Sequence, residues 1–210
     1  MKYTFVGDIH GKVDCVEHAL DKDGKIVFVG DFMDSFNKPL EDQKVCLDLV
    51  LDAIEKGKAE ALLGNHELSY LQPAQHRCSG FSTITDIVMI HYRNRLFAKF
   101  KKFLWIDNFL ITHAGLHPRV NELRGERDWD EWANDPESSA HQVGRSRGGW
   151  SKYGGIFWCD FNRDFEPIDG INQIFGHTRG DSIRTKHTEH SLNFCIDCLD
   201  SRMEFLELEI

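Results

Sequence analysis

No stretch of the 210 residues approaches the length of a membrane span, and the opening MKYTFVGDIHG holds neither a long apolar run nor a small-residue cleavage site. The chain is therefore expected to be cytoplasmic and without a membrane partner. No Pro/Gly/Ser-rich linker or shift in composition divides it, so a single domain over 1–210 is expected, large enough to bury a substantial core. Positive charge is scarce: 25 Lys and Arg stand against 34 Asp and Glu, a net charge of -9. That argues against a broad nucleic-acid-binding surface, and any anion must be met by local cations. A disulfide framework is also missing. Cys15, Cys46, Cys78, Cys159, Cys195 and Cys198 are scattered along the chain and read as reduced, mostly buried thiols. The CIDC stretch sits in an apolar, strand-like run and lacks the second pair that a zinc site needs. No repeat of solenoid period is present.

What is present is an alternation of strands and helices. KYTFVGD reads as a strand, followed by a short helix in which Val13, Val16 and Leu20 share a face. KIVFVGD repeats the first strand's ending. Leu40, Val45, Leu47, Val50, Leu51 and Ile54 lie near helical spacing, with Gly57 as a stop. AEALLGNHE reads as a third strand, and STITDIVMIHYRNRLFAKFKKF as a long helix capped by Ser82 or Thr83. LWIDNFLITHAG has the pattern of a hairpin turning at Asp107-Asn108. Residues 120–153 are polar and carry Trp129, Trp132 and Trp150, as expected of an inserted loop or short-helix region. INQIFGH, SLNFCID and RMEFLELEI return to strands.

Polar residues collect where these strands end. Asp8, His10, Asp31, Asn65, His113 and His177 each follow an apolar run, and strand ends are where α/β proteins keep their chemistry. Singly, each reads as a turn carboxylate, a capping amide or a hydrogen-bonded histidine. As an ordered set they combine hard oxygen donors with imidazole nitrogens and could hold two divalent ions. A shared carboxylate would keep such ions about 3.5–4 Å apart, and Asp31 is the best candidate for that bridge.

The series GDIHG, GDFMD, GNHE, HAG and GHT, each after a strand, resembles the calcineurin-like metallophosphoesterases, and most closely their phosphoprotein-phosphatase branch of bacterial and phage type. FWCDF at 157–161 is similar to that family's Leu-Trp-Ser-Asp-Pro segment. The resemblance implies an α/β fold, a four-layered sandwich of two mixed sheets flanked by helices, with metals above the strand ends. It assigns Asp8 and His10 to a first metal, Asp31 to both, and Asn65, His113 and His177 to a second. It makes His66 the general acid and Asp34 the partner that fixes its tautomer. The implied chemistry is hydrolysis of phosphate esters by attack of a metal-bound water or hydroxide, with Mn²⁺ the best-suited ion and Fe, Co, Ni or Zn as alternatives.

Two departures bear on substrate choice. The family commonly continues the second motif as Asp-Arg-Gly, whereas Asp34 is followed here by Ser35 and Phe36; many members also have arginine before Gly-Asn-His-Glu, where this chain has Leu63. Arg145, Arg147, Arg163 and Arg179 are the candidates to replace these phosphate clamps, with Arg179 favoured by its place in GHTRGD and Arg147 beside it. Asp197 is expected to support the first metal indirectly. The substrate is expected to be a phosphoprotein, as for serine/threonine protein phosphatases, or alternatively a dinucleoside polyphosphate, a nucleotide or an RNA end cleaved with some phosphodiesterase activity. A non-catalytic metal-binding scaffold is the remaining reading, disfavoured because every ligand and the acid are retained.

Overall fold

The computed structural model describes residues 1–72 and 77–210. Two mixed sheets are flanked by helices, the layered α/β arrangement expected from the sequence. The first sheet contains β1 (Lys2–Val6), β2 (Lys25–Phe28), β3 (Ala59–Ala61) and β9 (Leu206–Glu209) in the order β3-β2-β1-β9. The second contains β4 (Phe103–Ile106), β5 (Phe109–Thr112), β6 (Asn172–Phe175), β7 (Arg184–His187) and β8 (Leu192–Cys195) in the order β4-β5-β6-β8-β7. β1, β2 and β3 run parallel, as do β5, β6 and β8.

The period of two along a strand decides which layer each side chain joins. Phe5 and Val27 of the first sheet share an apolar cluster with Phe109, Ile111 and Ile174 of the second. Their neighbours Val6, Ile26 and Phe28 instead join the cluster that holds Val16 of α1 (Val13–Leu20) and Leu47 and Val50 of α2 (Leu40–Glu55). Phe175 and Cys195 pack with Phe161 and Phe165 in a third cluster. Strands buried on both faces read as continuous apolar runs, which is why KIVFV carries no polar alternation.

The helices follow the expected pattern with local exceptions. Val45 falls on the exposed side of α2, and Gln43 and Cys46 take the buried positions beside Leu47. The third strand is shorter than its apolar run, because α3 (Asn65–Leu71) starts at Asn65 itself. In α4 (Thr83–Lys99) the Ser82 hydroxyl accepts the Ile84 and Thr85 N–H groups. The 120–153 stretch forms α5 (Pro118–Arg124, which enters it), α6 (Trp129–Asn134) and two 3₁₀ turns, with Trp132 fully buried and Trp150 almost wholly exposed. β7 has no apolar residue to announce it; its Arg184 guanidinium and Lys186 ammonium instead lie over the Phe161 ring. All six cysteines are free.

Candidate metal centre

Six parallel strands, three in each sheet, send their C-terminal ends to one edge of the sandwich. β1 leads to Asp8 and His10, β2 to Asp31, β3 to Asn65, β5 to His113, β6 to His177 and β8 to Asp197. All seven side chains are buried or nearly so. Asp8, His10, Asp31, Asn65, His66, His177 and Asp197 line one cleft of about 510 Å³.

Asp31 sits at the middle. Its Oδ2 lies 3.3 Å from His113 Nε2, 3.8 Å from His10 Nε2 and 4.0 Å from His66 Nε2. Its Oδ1 accepts the His66 N–H at 3.0 Å, satisfying one of the first-turn donors of α3. His113 Nε2 is also 2.8 Å from Asn65 Oδ1 and 3.1 Å from His177 Nδ1. Two imidazoles are aimed by carbonyls: His10 Nδ1 donates to Met33 O at 2.6 Å and His113 Nδ1 to Val29 O at 2.8 Å. A carbonyl only accepts, so each ring turns its Nε2 toward Asp31. Asp8 accepts the His177 N–H at 3.0 Å.

The backbone bends sharply to make this possible. Among the described residues, non-glycine positive φ occurs at His10, Asp31, Asp34 and His177, and otherwise only at Asp107 in the hairpin turn. Left-handed conformations of this kind are costly and concentrate where function holds them. Two motif glycines have a direct steric reason: a Cβ on Gly64 would overlap Asp31 Oδ1, and one on Gly176 would overlap Asp8 Oδ1.

The electrostatics describe a site short of positive charge. Burial, then Asp197 and Asp31, push Asp8 well above the usual carboxylate range. Burial, with Asp31 and Asp200, raises Asp197 to about 6. For Asp31, burial acts upward but is outweighed by His113, His66 and His10, which hold it well below that range. For His113, burial acts downward but Asp31 outweighs it and raises the imidazole to about 9. Burial lowers His10 to about 4. Burial, Arg147 and His113 hold His177 well below the usual imidazole range, and its Nε2 is buried with no hydrogen-bond partner among the described residues.

These features fit divalent cations. His10, Asp31 and His66 bring one ligand atom each within 4.8 Å of one another, and Asp31, His113 and His177 do the same. Asp31 belongs to both groups. The donors are carboxylate oxygen and imidazole nitrogen, and an unpaired buried nitrogen points to a partner other than protein.

Beside these groups, His66 Nδ1 is 2.8 Å from Asp34 Oδ2, and Tyr70 donates its hydroxyl to Asp34 Oδ1. Burial acts to lower His66, but Asp31 and Asp34 outweigh it and raise it. Arg147 and Arg179 both line the cleft, whereas Arg145 and Arg163 are exposed and do not. Arg147 donates from Nη2 to Thr178 Oγ1 at 2.9 Å and pairs through Nε with Asp160 at 3.1 Å. Arg179 pairs through Nε with Asp200 at 3.0 Å.

Sequence reasoning gave no role to Glu67. It is fully buried, and its carboxylate accepts four backbone N–H groups, from Gly64, Asp31, Phe32 and Met33, at 2.8 to 3.2 Å. A glutamate in the apolar run of LLGNHELSYL was the available signal. Cys78 was likewise passed over: its sulfur accepts from Asn65 Nδ2 at 3.0 Å, so the amide oxygen faces His113.

The family model for calcineurin-like phosphoesterase matches residues 1–180. No curated protein matches the chain. Among solved structures, the fold is similar to a cold-active protein-tyrosine phosphatase of the psychrophile Shewanella sp., with TM-score 0.66 and 17% identity over 99% of this chain and 75% of that one. It is also similar to a protein serine/threonine phosphatase from Saccharomyces cerevisiae, with TM-score 0.54 and 15% identity over 93% of this chain and 67% of that one. Among the described residues, no helix is long and apolar enough to cross a membrane.

Proposed function

From the premise that this chain belongs to the calcineurin-like phosphoesterase family and is a metal-dependent phosphatase, we propose that it hydrolyses phosphate monoesters at the Asp31 cleft, as a phosphatase of the serine/threonine protein phosphatase type. The observation that carries this reading is the position of Asp31 Oδ2, 3.8 Å from His10 Nε2 on one side and 3.3 Å from His113 Nε2 on the other. One carboxylate thus serves two groups of donors.

Asp8, His10 and Asp31 would hold one divalent ion; Asp31, Asn65, His113 and His177 would hold the other, with Mn²⁺ favoured by the mixed donor set. Bound there, two cations supply an acidified water and neutralise the phosphoryl oxygens. The chain's own contribution begins with His66. The Asp34 carboxylate accepts the hydrogen bond of Nδ1–H and stabilises the imidazolium, whose Nε2–H would then be donated toward the oxygen of the departing alcohol. Asp34 is itself held by Tyr70, so the ring cannot turn without breaking a buried network. Arg147, which lines the cleft, would take the part of the absent Asp-Arg-Gly arginine: Thr178 and Asp160 fix its Nη2 and Nε. Both of these similar structures are protein phosphatases, which supports a phosphoprotein substrate.

The test is hydrolysis of an aryl phosphate with and without Mn²⁺, followed by a phosphopeptide, diadenosine tetraphosphate and a 2′,3′-cyclic nucleotide side by side. Metal-dependent turnover with the phosphopeptide preferred is expected. A protein that binds metal but turns over none of them is a scaffold, and the reading fails.

A further inference from the structure

The cleft does not end at the metal groups. A cavity of about 380 Å³ adjoins it and shares His10, Phe36 and Arg179 with it. A cavity of about 520 Å³ adjoins it elsewhere and shares Arg77, Arg147 and Trp158. The smaller cavity lies beside the proposed acid. The His10 ring packs edge-on against the His66 ring, with centroids 5.0 Å apart, and Ser35 in the cavity wall directly follows Asp34.

That smaller cavity is basic in an acidic protein. Lys12, Lys38, Arg179 and Arg202 line it against only Asp14 and Asp200, while the chain as a whole carries a net charge of -9. Asp200 does not cancel the excess; it organises it. Its carboxylate bonds Lys12 Nζ at 2.7 Å and Arg179 Nε at 3.0 Å, so one acid fixes two cations in the cavity wall. Lys38 has no ion-pair partner among the described residues. Cations gathered in a concave site focus potential on whatever enters it.

We propose that this cavity is a specificity subsite for an acidic side chain of the substrate, next to the phosphorylated residue on its leaving-group side. The inference rests on the phosphatase reading above and names its substrate class: an extended phosphopeptide with a flanking Asp or Glu. An extended chain is favoured over a compact oligophosphate because the cleft continues into cavities bordered by different walls, which gives a polypeptide room on either side of the phosphate. Lys38 and Arg202 are exposed and line this cavity but not the metal cleft, and Arg202 Nη1 lies 3.9 Å from Glu204 Oε2. They meet a side chain of the leaving group and not the phosphoryl group itself.

The experiment measures kcat/KM for a phosphoserine peptide series in which a single Asp is moved through successive positions on either side of the phosphoserine in an alanine background. An aryl phosphate is measured in parallel at fixed free Mn²⁺. The wild-type protein should prefer one or two Asp positions by about ten-fold, the scale of one charge-assisted contact. The Lys38→Ala/Arg202→Ala double variant should lose that preference while keeping aryl phosphate turnover within about two-fold. Lys38→Glu should shift the preference toward a peptide with Lys at the same position. A wild type that hydrolyses aryl phosphate but ignores the Asp position overturns this inference and leaves the phosphatase reading intact. So does a double variant that lowers the aryl phosphate and every peptide equally, or one that slows inorganic tripolyphosphate hydrolysis but not the peptide's. Failure of the wild type on every ester with Mn²⁺ present defeats the phosphatase reading itself.

Discussion

Glu67 and Asp31 are tied through the backbone: Glu67 Oε2 accepts the Asp31 N–H at 2.9 Å, and the Asp31 carboxylate in turn accepts the N–H of His66, the residue before Glu67, at 3.0 Å. The loop carrying the proposed bridge and the helix carrying the proposed acid therefore hold each other in place. Burial, then Asp31, raises Glu67, yet four backbone donors point at its two oxygens, so an amide there would turn its own N–H groups against them. Glu67→Gln should cost about 3 kcal/mol in urea unfolding, the scale of a buried charge-assisted network losing its acceptor. It should also loosen metal binding. A variant with wild-type stability and metal content would show that Glu67 only fills space.

Asp31→Asn should lower metal stoichiometry below two and cut kcat by more than about a hundred-fold, the upper end for groups that merely support a ligand. Metal content by elemental analysis and turnover by aryl phosphate assay check it together. Two bound equivalents with near-normal turnover would remove Asp31 from the bridge.

His66 is open to two roles, because its Nε2 lies 4.0 Å from Asp31 Oδ2, close enough to be grouped with His10 as a ligand. His66→Asn separates them. If the ring is the acid, both metals stay and an alkyl ester slows by about 10² to 10⁴-fold, while an activated aryl ester slows far less because its alkoxide leaves unaided. An equal loss on both esters counts against the acid role, and loss of metal makes His66 a ligand.

The strand-end pattern was legible because it follows from elementary burial. Apolar runs such as TFV and IVFV can be interior, whereas Asp8 and Asp31 can only stand where the strand stops, and the glycine beside each carboxylate or imidazole marks a close approach. Glu67 was hidden because a glutamate at the third position of a helix reads as an ordinary capping residue. Its three contacts to residues 31–33 are tertiary, and no local pattern carries them. β7 escaped for the same reason: RTKH has no apolar period and becomes a strand only by pairing with β8. The arginines could not be ranked from sequence, since Arg145 and Arg147 lie two residues apart in one turn yet only Arg147 lines the cleft.

Removal of metal should make stability fall with pH. His113 is raised from 6.5 to about 9, so the native state keeps a proton that the unfolded chain has released. Its contribution is complete below 6.5 and is lost as pH rises through 9, on the order of 3 kcal/mol in all. His66, also raised, acts in the same direction, and His10, lowered to about 4, acts only below 6.5. In EDTA the urea midpoint should therefore drop across pH 6.5 to 9, and the metal-loaded protein should show a flatter profile because a cation has replaced the proton. A metal-free midpoint that rises over this window would contradict the charge deficit assigned to the site.

The last prediction concerns Ser35, which stands where the family commonly has the arginine of Asp-Arg-Gly. Its hydroxyl accepts the Lys38 N–H at 3.0 Å and the Asn37 N–H at 3.3 Å, so it shapes the turn instead of reaching for a phosphate. With no guanidinium fixed from that side, the phosphoryl group would, on the proposed reading, be held by the cations, Asn65, His66 and Arg147. A site with fewer clamps for a terminal dianion penalises a diester monoanion less, so measurable diesterase activity should accompany the monoesterase activity. Ser35→Arg should raise the ratio of kcat/KM for an aryl monoester to that for the matching diester by about ten-fold, since an added cation gains more from two charges than from one. The lost turn bonds should cost only about 1 kcal/mol. A folded, metal-loaded Ser35→Arg variant whose ratio moves toward the diester would show that the missing arginine is not what sets the preference between the two esters.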